Sequence, residues 1–209
     1  MPRTEPFETY SREYDAWFDS HSRIYNTELD LLGSLLGTES GRKVEVGAGT
    51  GRFALPLGVE TGIEPAAAMA ERARSKGMRI IRGPGEQLPL RSGWFQDLLM
   101  VTTICFLNDI NKAFREAHRV LRPQGSLVLG FLDRETEPGR TYIKRKESSR
   151  FYRYAEFAAA AEVEQILGRS GFSIAAVKQM LIPGQPPETV RPGYGTGGFV
   201  GVKAVKTDQ

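Results

Sequence analysis

V44-E-V-G-A-G-T-G-R-F-A54 decides how the rest of the chain is read. A short strand over Lys43–Val46 runs into Gly47, Gly49 and Gly51, and a brief helix is expected over Arg52–Leu57. A strand-to-helix corner this tight needs backbone with φ above zero, which glycine reaches without a Cβ penalty. Bare backbone lets a ligand approach closely, and the first N–H groups of a following helix carry positive potential. In open α/β sheets ligands sit beyond the carboxyl ends of the strands, where strand order reverses. The stretch therefore marks either a cofactor site or a structural corner.

Working outward, residues 7–36 read as helical, with Phe7, Tyr10, Tyr14, Trp17 and Phe18 on one face, and Gly37 and Gly41 as stops. After the glycines come a strand over Val59–Glu64, a helix over Ala66–Lys76 closed by Gly77, and a strand over Met78–Arg82. Phe95–Thr103 is nearly all apolar from Leu98 onward, as suits a strand buried on both faces of a parallel sheet. Asn108 or Asp109 caps a helix running to Leu121, and Pro123-Gln124-Gly125 turns into a strand over Ser126–Leu132. Residues 133–155 are charged and aromatic. A helix over Ala158–Arg169 follows, then strands over Phe172–Ile182 and Phe199–Lys206, separated by the Pro/Gly-rich loop 183–198. Alternating strands and helices predict an open α/β sheet with right-handed crossovers. The last strand follows its neighbour without a helix and should run antiparallel.

Composition narrows the class. The 209 residues are 40% hydrophobic and 25% charged, an ordinary globular balance, and the length suits one domain. The 28 Lys and Arg against 25 Asp and Glu give a net charge of +3, too slight to imply nucleic acid or an anionic membrane. The single cysteine, Cys105, excludes an internal disulfide and a thiolate metal cluster, and fits a reducing cytoplasm. Arg3, Glu5 and Glu8 interrupt any apolar leader, and no apolar run approaches the roughly 20 residues that span a bilayer.

Two cofactor classes use such a glycine corner. Dinucleotide loops want G-x-G-x-x-G, which here would need glycine at position 52, where Arg52 stands. The spacing present, G-x-G-x-G behind Glu45, resembles motif I of the class I S-adenosylmethionine-dependent methyltransferases. Three further stretches carry the same resemblance: G62-I-E-P65, R82-G-P-G-E-Q-L-P-L90, and the run from Phe95 through R119-V-L-R-P-Q-G125 to Gly130. Together they cover residues 42–132. A similarity to one small branch of the family, found among thermophiles, extends it through M100-V-T-T-I-C-F106, D133-R-E135 and G193-Y-G-T-G-G-F-V200.

The resemblance implies a Rossmann-like fold: seven strands in the order 3-2-1-4-5-7-6, mostly parallel with the last antiparallel, and helices on both faces. Residues 1–41 would form a helical cap, 42–132 the cofactor core, and 133–209 a substrate-side segment with the C-terminal strands. It implies S-adenosyl-L-methionine as cofactor and S-adenosyl-L-homocysteine as product. The implied binding set is Glu45, Gly47, Ala48, Gly49, Gly51, Glu64, Pro65, Met69, Gly85, Glu86, Thr102 and Tyr14. Glu64 lies 17 residues beyond Gly47, near the roughly 20 expected of an acid that binds ribose hydroxyls. Met69 would pack on adenine, Val101 and Thr102 would face the methionine moiety, and Tyr14 would close over the cofactor. Where the family shows G-D-A-E-x-L-P, Pro84 replaces the adenine-binding Asp, which leaves the backbone of Gly85 and Glu86 as candidates.

No catalytic residue can be named from the sequence. Methyl transfer from a sulfonium depends chiefly on holding the acceptor lone pair in line, and only a hydroxyl acceptor usually needs a strong base. V101-T-T-I104 lacks the (N/D)-P-P-(Y/F) of amino-group DNA methylation, and Cys105 lacks the preceding proline of cytosine-carbon methylation. No Asp…Asp-Asn set suggests a metal-dependent O-methyltransferase. His118 and Cys105 read as structural, and His21 as a residue of the aromatic helix. Specificity should come from the Tyr10–Phe18 face, residues 133–154 and loop 183–198. The bases Arg140, Lys144, Arg145, Lys146, Arg150 and Arg153 form either a solvated face or a site for an anionic acceptor. The expected partner is a small molecule, acted on by a monomer or homodimer. The alternatives are a nicotinamide-dependent oxidoreductase and a non-catalytic cofactor-binding regulatory subunit.

Overall fold

The structure, a computed structural model, describes residues 4–37 and 41–207. Arg3, on which the expected lack of a leader partly rests, and positions 38–40 of the expected cap lie outside them. Three helices open the chain: α1 (Glu5–Thr9), α2 (Ser11–Ser20) and α3 (Ser22–Leu35). Then follow β1 (Lys43–Val46), β2 (Thr61–Ile63), α4 (Ala67–Ser75), β3 (Arg79–Ile81), β4 (Phe95–Val101), α5 (Ile110–Val120) and β5 (Leu121–Leu132). The remainder is α6 (Glu137–Arg145), α7 (Ala160–Arg169), β6 (Phe172–Met180), β7 (Arg191–Pro192) and β8 (Phe199–Lys206).

The sheet order is β3-β2-β1-β4-β5-β8-β6-β7. β1 to β5 pair in parallel, and β8 runs antiparallel between β5 and β6. The expected order is present, with one strand more. The eighth is the two-residue β7, which pairs with β6 at Lys178↔Pro192 and Gln179↔Arg191 inside what reads as loop. Nothing in the composition of a Pro/Gly-rich stretch announces such an edge pair. It is fixed by Gln179, whose side chain donates to the Pro192 carbonyl and accepts from the Thr196 and Gly197 N–H groups.

β4 is buried along its whole length, as its apolar run requires. Alternate residues serve two layers. Leu98, Met100, Leu127 and Leu129 pack with Phe114 and Val120 of α5 and Val163 and Leu167 of α7. Leu99, Val101 and Val128 pack with Leu31, Leu32 and Leu35 of α3 and Ala70 and Ala73 of α4. α3 can lie this close because Gly130 and Gly201 are register partners on neighbouring strands. A Cβ on Gly201 would overlap Leu31, and one on Gly130 would stand 3.1 Å from Leu32.

The helical stretch 7–36 is interrupted at Tyr10 and His21, which divide it into three helices. One expectation needs correction. Residues 52–58 are a chain of turns, not a helix. Leu55 N and Leu57 N still donate to the Gly51 and Phe53 carbonyls with helical spacing, but Pro56 has no N–H for the Arg52 carbonyl, which accepts from the Tyr25 hydroxyl instead.

Candidate functional site

The carboxyl ends of β1, β2 and β4 open into a cavity of about 440 Å³. The glycine loop forms its floor. Gly47, Gly49 and Gly51 all have positive φ, at 71°, 55° and 80°. Thr102, just past β4, also has a positive φ, of 49°. A non-glycine residue held there carries backbone strain, which clusters at ligand sites. Glu64, just past β2, is buried and accepts hydrogen bonds from Gly49 N (2.8 Å) and Ala66 N (2.7 Å). Burial pushes its carboxyl up to about 7, against those two hydrogen bonds and the nearby Arg82.

The cap closes the cavity. Tyr14 of α2 lies over the loop, its ring 3.7 Å from where a Cβ on Gly49 would stand, and its hydroxyl is hydrogen-bonded to Thr102. Phe7 of α1 meets Tyr14, Phe106 and Phe151 at ring-centroid distances of 5.9, 5.0 and 5.9 Å. One aromatic roof thus joins the N-terminal helices, the turn after β4 and the segment after α6.

Two polar clamps hold that roof down. Glu8 of α1 accepts from the Ala67 and Ala68 N–H groups (2.7 and 2.9 Å), and so caps α4, whose own N-cap residue, Ala66, has no side-chain acceptor. Asp15 of α2 accepts from Arg52 Nε (2.7 Å), Thr50 Oγ1 (2.7 Å) and Lys76 Nζ (2.8 Å). Burial alone would raise Asp15, but hydrogen bonds from Lys76, Arg52 and Thr50 outweigh it and hold the carboxyl at about 2. Asp15→Ala should therefore lower stability by about 2 kcal/mol, because two cations and a hydroxyl lose a shared partner. Urea denaturation measures this, and an unchanged midpoint would mean that the cap is held without Asp15.

Of the residues expected to bind cofactor, Tyr14, Gly47, Gly49, Glu64, Pro65, Met69, Gly85, Glu86 and Thr102 share the cavity wall. Glu45, Ala48 and Gly51 do not. Glu45 is buried, and burial holds its acid well above the usual carboxylate range. It shapes the loop through Ala54 instead of facing the cavity. One oxygen of the Glu86 carboxylate accepts from Asn108 N at 2.7 Å, which ties this wall residue to the turn after β4.

His118 packs edge-on against Phe172, and His21 stacks on Trp17 at 4.4 Å; neither lines the cavity. Cys105 is buried, and burial pushes its thiol up to about 12. Among the basic residues of 140–153, Arg145 alone reaches the cavity wall; Lys146 Nζ donates to the Ala155 carbonyl at 2.7 Å and Arg150 stacks over Tyr10. Among the described residues no group of three or more His, Cys, Asp or Glu is placed to hold a metal ion, and no helix is long and apolar enough to cross a membrane.

One wall residue escapes the sequence reading. Glu28 of α3 is only 7% exposed, yet it lines the cavity. The signal was present: Thr27, Glu28, Leu31, Leu32 and Leu35 share one helical stripe, and a carboxylate on an apolar stripe is rarely buried unless it is paired. Among the described residues no donor pairs with it.

A methyltransferase-domain family model matches residues 44–129. An uncharacterized protein of Methanocaldococcus jannaschii is 36% identical over 96% of this chain and 98% of its own length. Malonyl-[acyl-carrier protein] O-methyltransferase of Geobacter sulfurreducens is 31% identical over 79% of this chain and 68% of its own. A crystal structure from Thermotoga maritima, described as a "SAM-dependent methyltransferase, possible histamine N-methyltransferase", superposes with a TM-score of 0.91 at 41% identity, over 98% of this chain and all of that one.

Proposed function

The chain belongs to the S-adenosylmethionine-dependent methyltransferases, and from that premise we propose that it moves a methyl group from S-adenosylmethionine to a small-molecule acceptor, in line, within the capped cavity. The observation that carries this reading is Glu64: a buried carboxylate at the tip of β2, facing a cavity whose floor is the glycine loop. Such an acid suits the two hydroxyls of a ribose.

The residues present fit that cofactor. Glu64 would take the ribose, and Met69 and Pro65 would flank the adenosine. The backbone of Gly85 and Glu86 would meet adenine, as Pro84 offers no side-chain acceptor. Thr102 and Tyr14 would border the methionine end. S-adenosylmethionine, when bound, supplies an electrophilic methyl on a sulfonium. The chain's part is to orient and to exclude water, which the roof of Phe7, Phe106 and Phe151 is built to do. On this reading the described residues of 1–41 would act as the cap, 42–132 as the cofactor core, and the described residues of 133–209 as the substrate-side segment with the C-terminal strands.

A nicotinamide cofactor is disfavoured by Arg52. It stands where the third glycine would be needed and is turned into pairs with Asp15 and Asp19, at 2.7 and 2.8 Å. A cavity of about 440 Å³ under a cap also favours a small acceptor over a nucleic acid. The relatives' descriptions name different acceptors, an oxygen in one and a nitrogen in another, so the acceptor must be read from this cavity. Titration calorimetry tests the cofactor: S-adenosylmethionine and S-adenosylhomocysteine should bind saturably and NADH should not. Binding of NADH alone would overturn the reading.

A further inference from the structure

We propose that the acceptor is an amine and that Glu28 binds its nitrogen as a cation and takes the proton that must leave before methylation. This rests on the methyltransferase reading of the same cavity and adds the acceptor class and the residue that selects it. The first ground is the isolation of the carboxylate. Burying a carboxylate without a partner is costly, and a buried polar group without one calls for an explanation. Asp15, another acid of the cap, meets two cations and a hydroxyl. Glu28 meets no donor among the described residues, and yet it fronts the cavity.

The second ground is what surrounds it. The field of Glu28 reaches the hydroxyls of Tyr14, Tyr142 and Tyr152, which come from α2, from α6 and from the turn at Tyr152–Tyr154. Tyr142 and Tyr152 stand edge to face at 5.9 Å, and Phe18 meets Tyr14 at 5.2 Å. Aromatic faces attract cations, so a cavity wall that combines these rings with a lone carboxylate suits an ammonium group. The one cation on the wall among the described residues, Arg145, is exposed and forms no ion pair with Glu28.

The chemistry balances. An ammonium ion has no lone pair to donate. Transfer of one proton from nitrogen to the Glu28 carboxylate frees that pair. The new N–C bond then forms as the donor's S–C bond breaks, with the bonding electrons staying on sulfur and the positive charge passing to the methylated nitrogen. The proton on Glu28 returns to water when the product leaves. Burial raises Glu28 to about 8, close enough to an amine for that exchange, whereas a hydroxyl would need a far stronger base.

The test uses the full chain, saturated with S-adenosylhomocysteine, and titrates phenethylamine and butylamine beside their alcohol and carboxylate counterparts (phenethyl alcohol and butanol, hydrocinnamate and valerate). Methylated product is sought by mass spectrometry when S-adenosylmethionine replaces the homocysteine form. The amines should bind and the alcohols should not. Glu28→Gln, which keeps shape and removes charge, should weaken amine binding by at least about tenfold while homocysteine-form binding stays unchanged. Alcohols binding as well as amines, or amines binding the variant as well as the wild type, would overturn the proposal. So would carboxylates binding in preference with a dependence on Arg145, or no amine binding to an enzyme that holds the homocysteine form. Failure of that form to bind the wild type would instead overturn the cofactor reading on which the proposal stands.

Discussion

Glu64→Ala is expected to weaken S-adenosylhomocysteine binding about 100-fold, as read by titration calorimetry. Two hydrogen bonds from hydroxyls to a charged acceptor, at about 1.5 kcal/mol each, give a loss of that size. The side chain also holds Gly49 N and Ala66 N, so part of the loss would come through the loop. Glu64→Gln separates the two contributions. It keeps one acceptor oxygen for these groups but loses the charge, and should fall between wild type and alanine. A second signature belongs to the carboxylate itself. An acid raised to about 7 is protonated below that pH and then offers one oxygen as a donor. Wild-type affinity should therefore decline as pH falls through about 7, and the glutamine variant should not share that decline. Equal affinities of wild type and alanine would remove Glu64 from the cofactor site.

Glu28→Gln should make the ligand-free protein more stable at alkaline pH and leave it nearly unchanged at acid pH. Burial raises Glu28 from an ordinary 4.5 to about 8. Between those values the folded chain holds a proton that the unfolded chain has lost, so wild-type stability falls as pH rises through that window. Above about pH 8 the folded protein bears a buried, unpaired charge that glutamine lacks, a difference on the order of 4 kcal/mol. The groups facing Glu28, Tyr14, Tyr142 and Tyr152, are themselves raised by burial and stay neutral across this range. Urea denaturation of both proteins at pH values either side of the window measures it. A difference that does not change with pH would mean that the Glu28 carboxylate is hydrated in the folded state. Paired with the amine titration, the result separates a residue that serves a ligand from one that serves the fold, since here the change that removes binding adds stability.

Much of the architecture was written in short-range pattern. The apolar run at Leu98–Val101 reads as a strand buried on both faces, and it is one. Asn108 or Asp109 reads as a helix cap, and it is Asp109 whose Oδ1 accepts from Lys112 N at 2.9 Å. Gly47, Gly49 and Gly51 read as a tight corner, and all three have positive φ. In these cases the deciding interaction lies within a few residues along the chain. The misreadings share the opposite cause. In the turns that replace the helix expected over Arg52–Leu57, the Arg52 carbonyl, which Pro56 cannot serve, is taken by the Tyr25 hydroxyl of α3. β7 exists because Gln179 reaches across to Pro192.

The candidate site divides along the same line. Sequence alone determined the strand tips, the glycine loop, Glu64 as a candidate at the tip of β2, and the family, because a cofactor that backbone and one strand-end acid would hold leaves its requirements in local spacing. Tertiary structure decided what stands above them. Asp15 became a clamp only when Arg52 and Lys76 came within reach, and Glu8 a cap only when α1 met the start of α4. Glu28 became a wall of the cavity only when α3 was laid on Gly130 and Gly201 and the segment bearing Tyr142 and Tyr152 folded toward it. Burial and partnership are properties of groups far apart in the chain, and a carboxylate acquires its chemistry from which of them it meets.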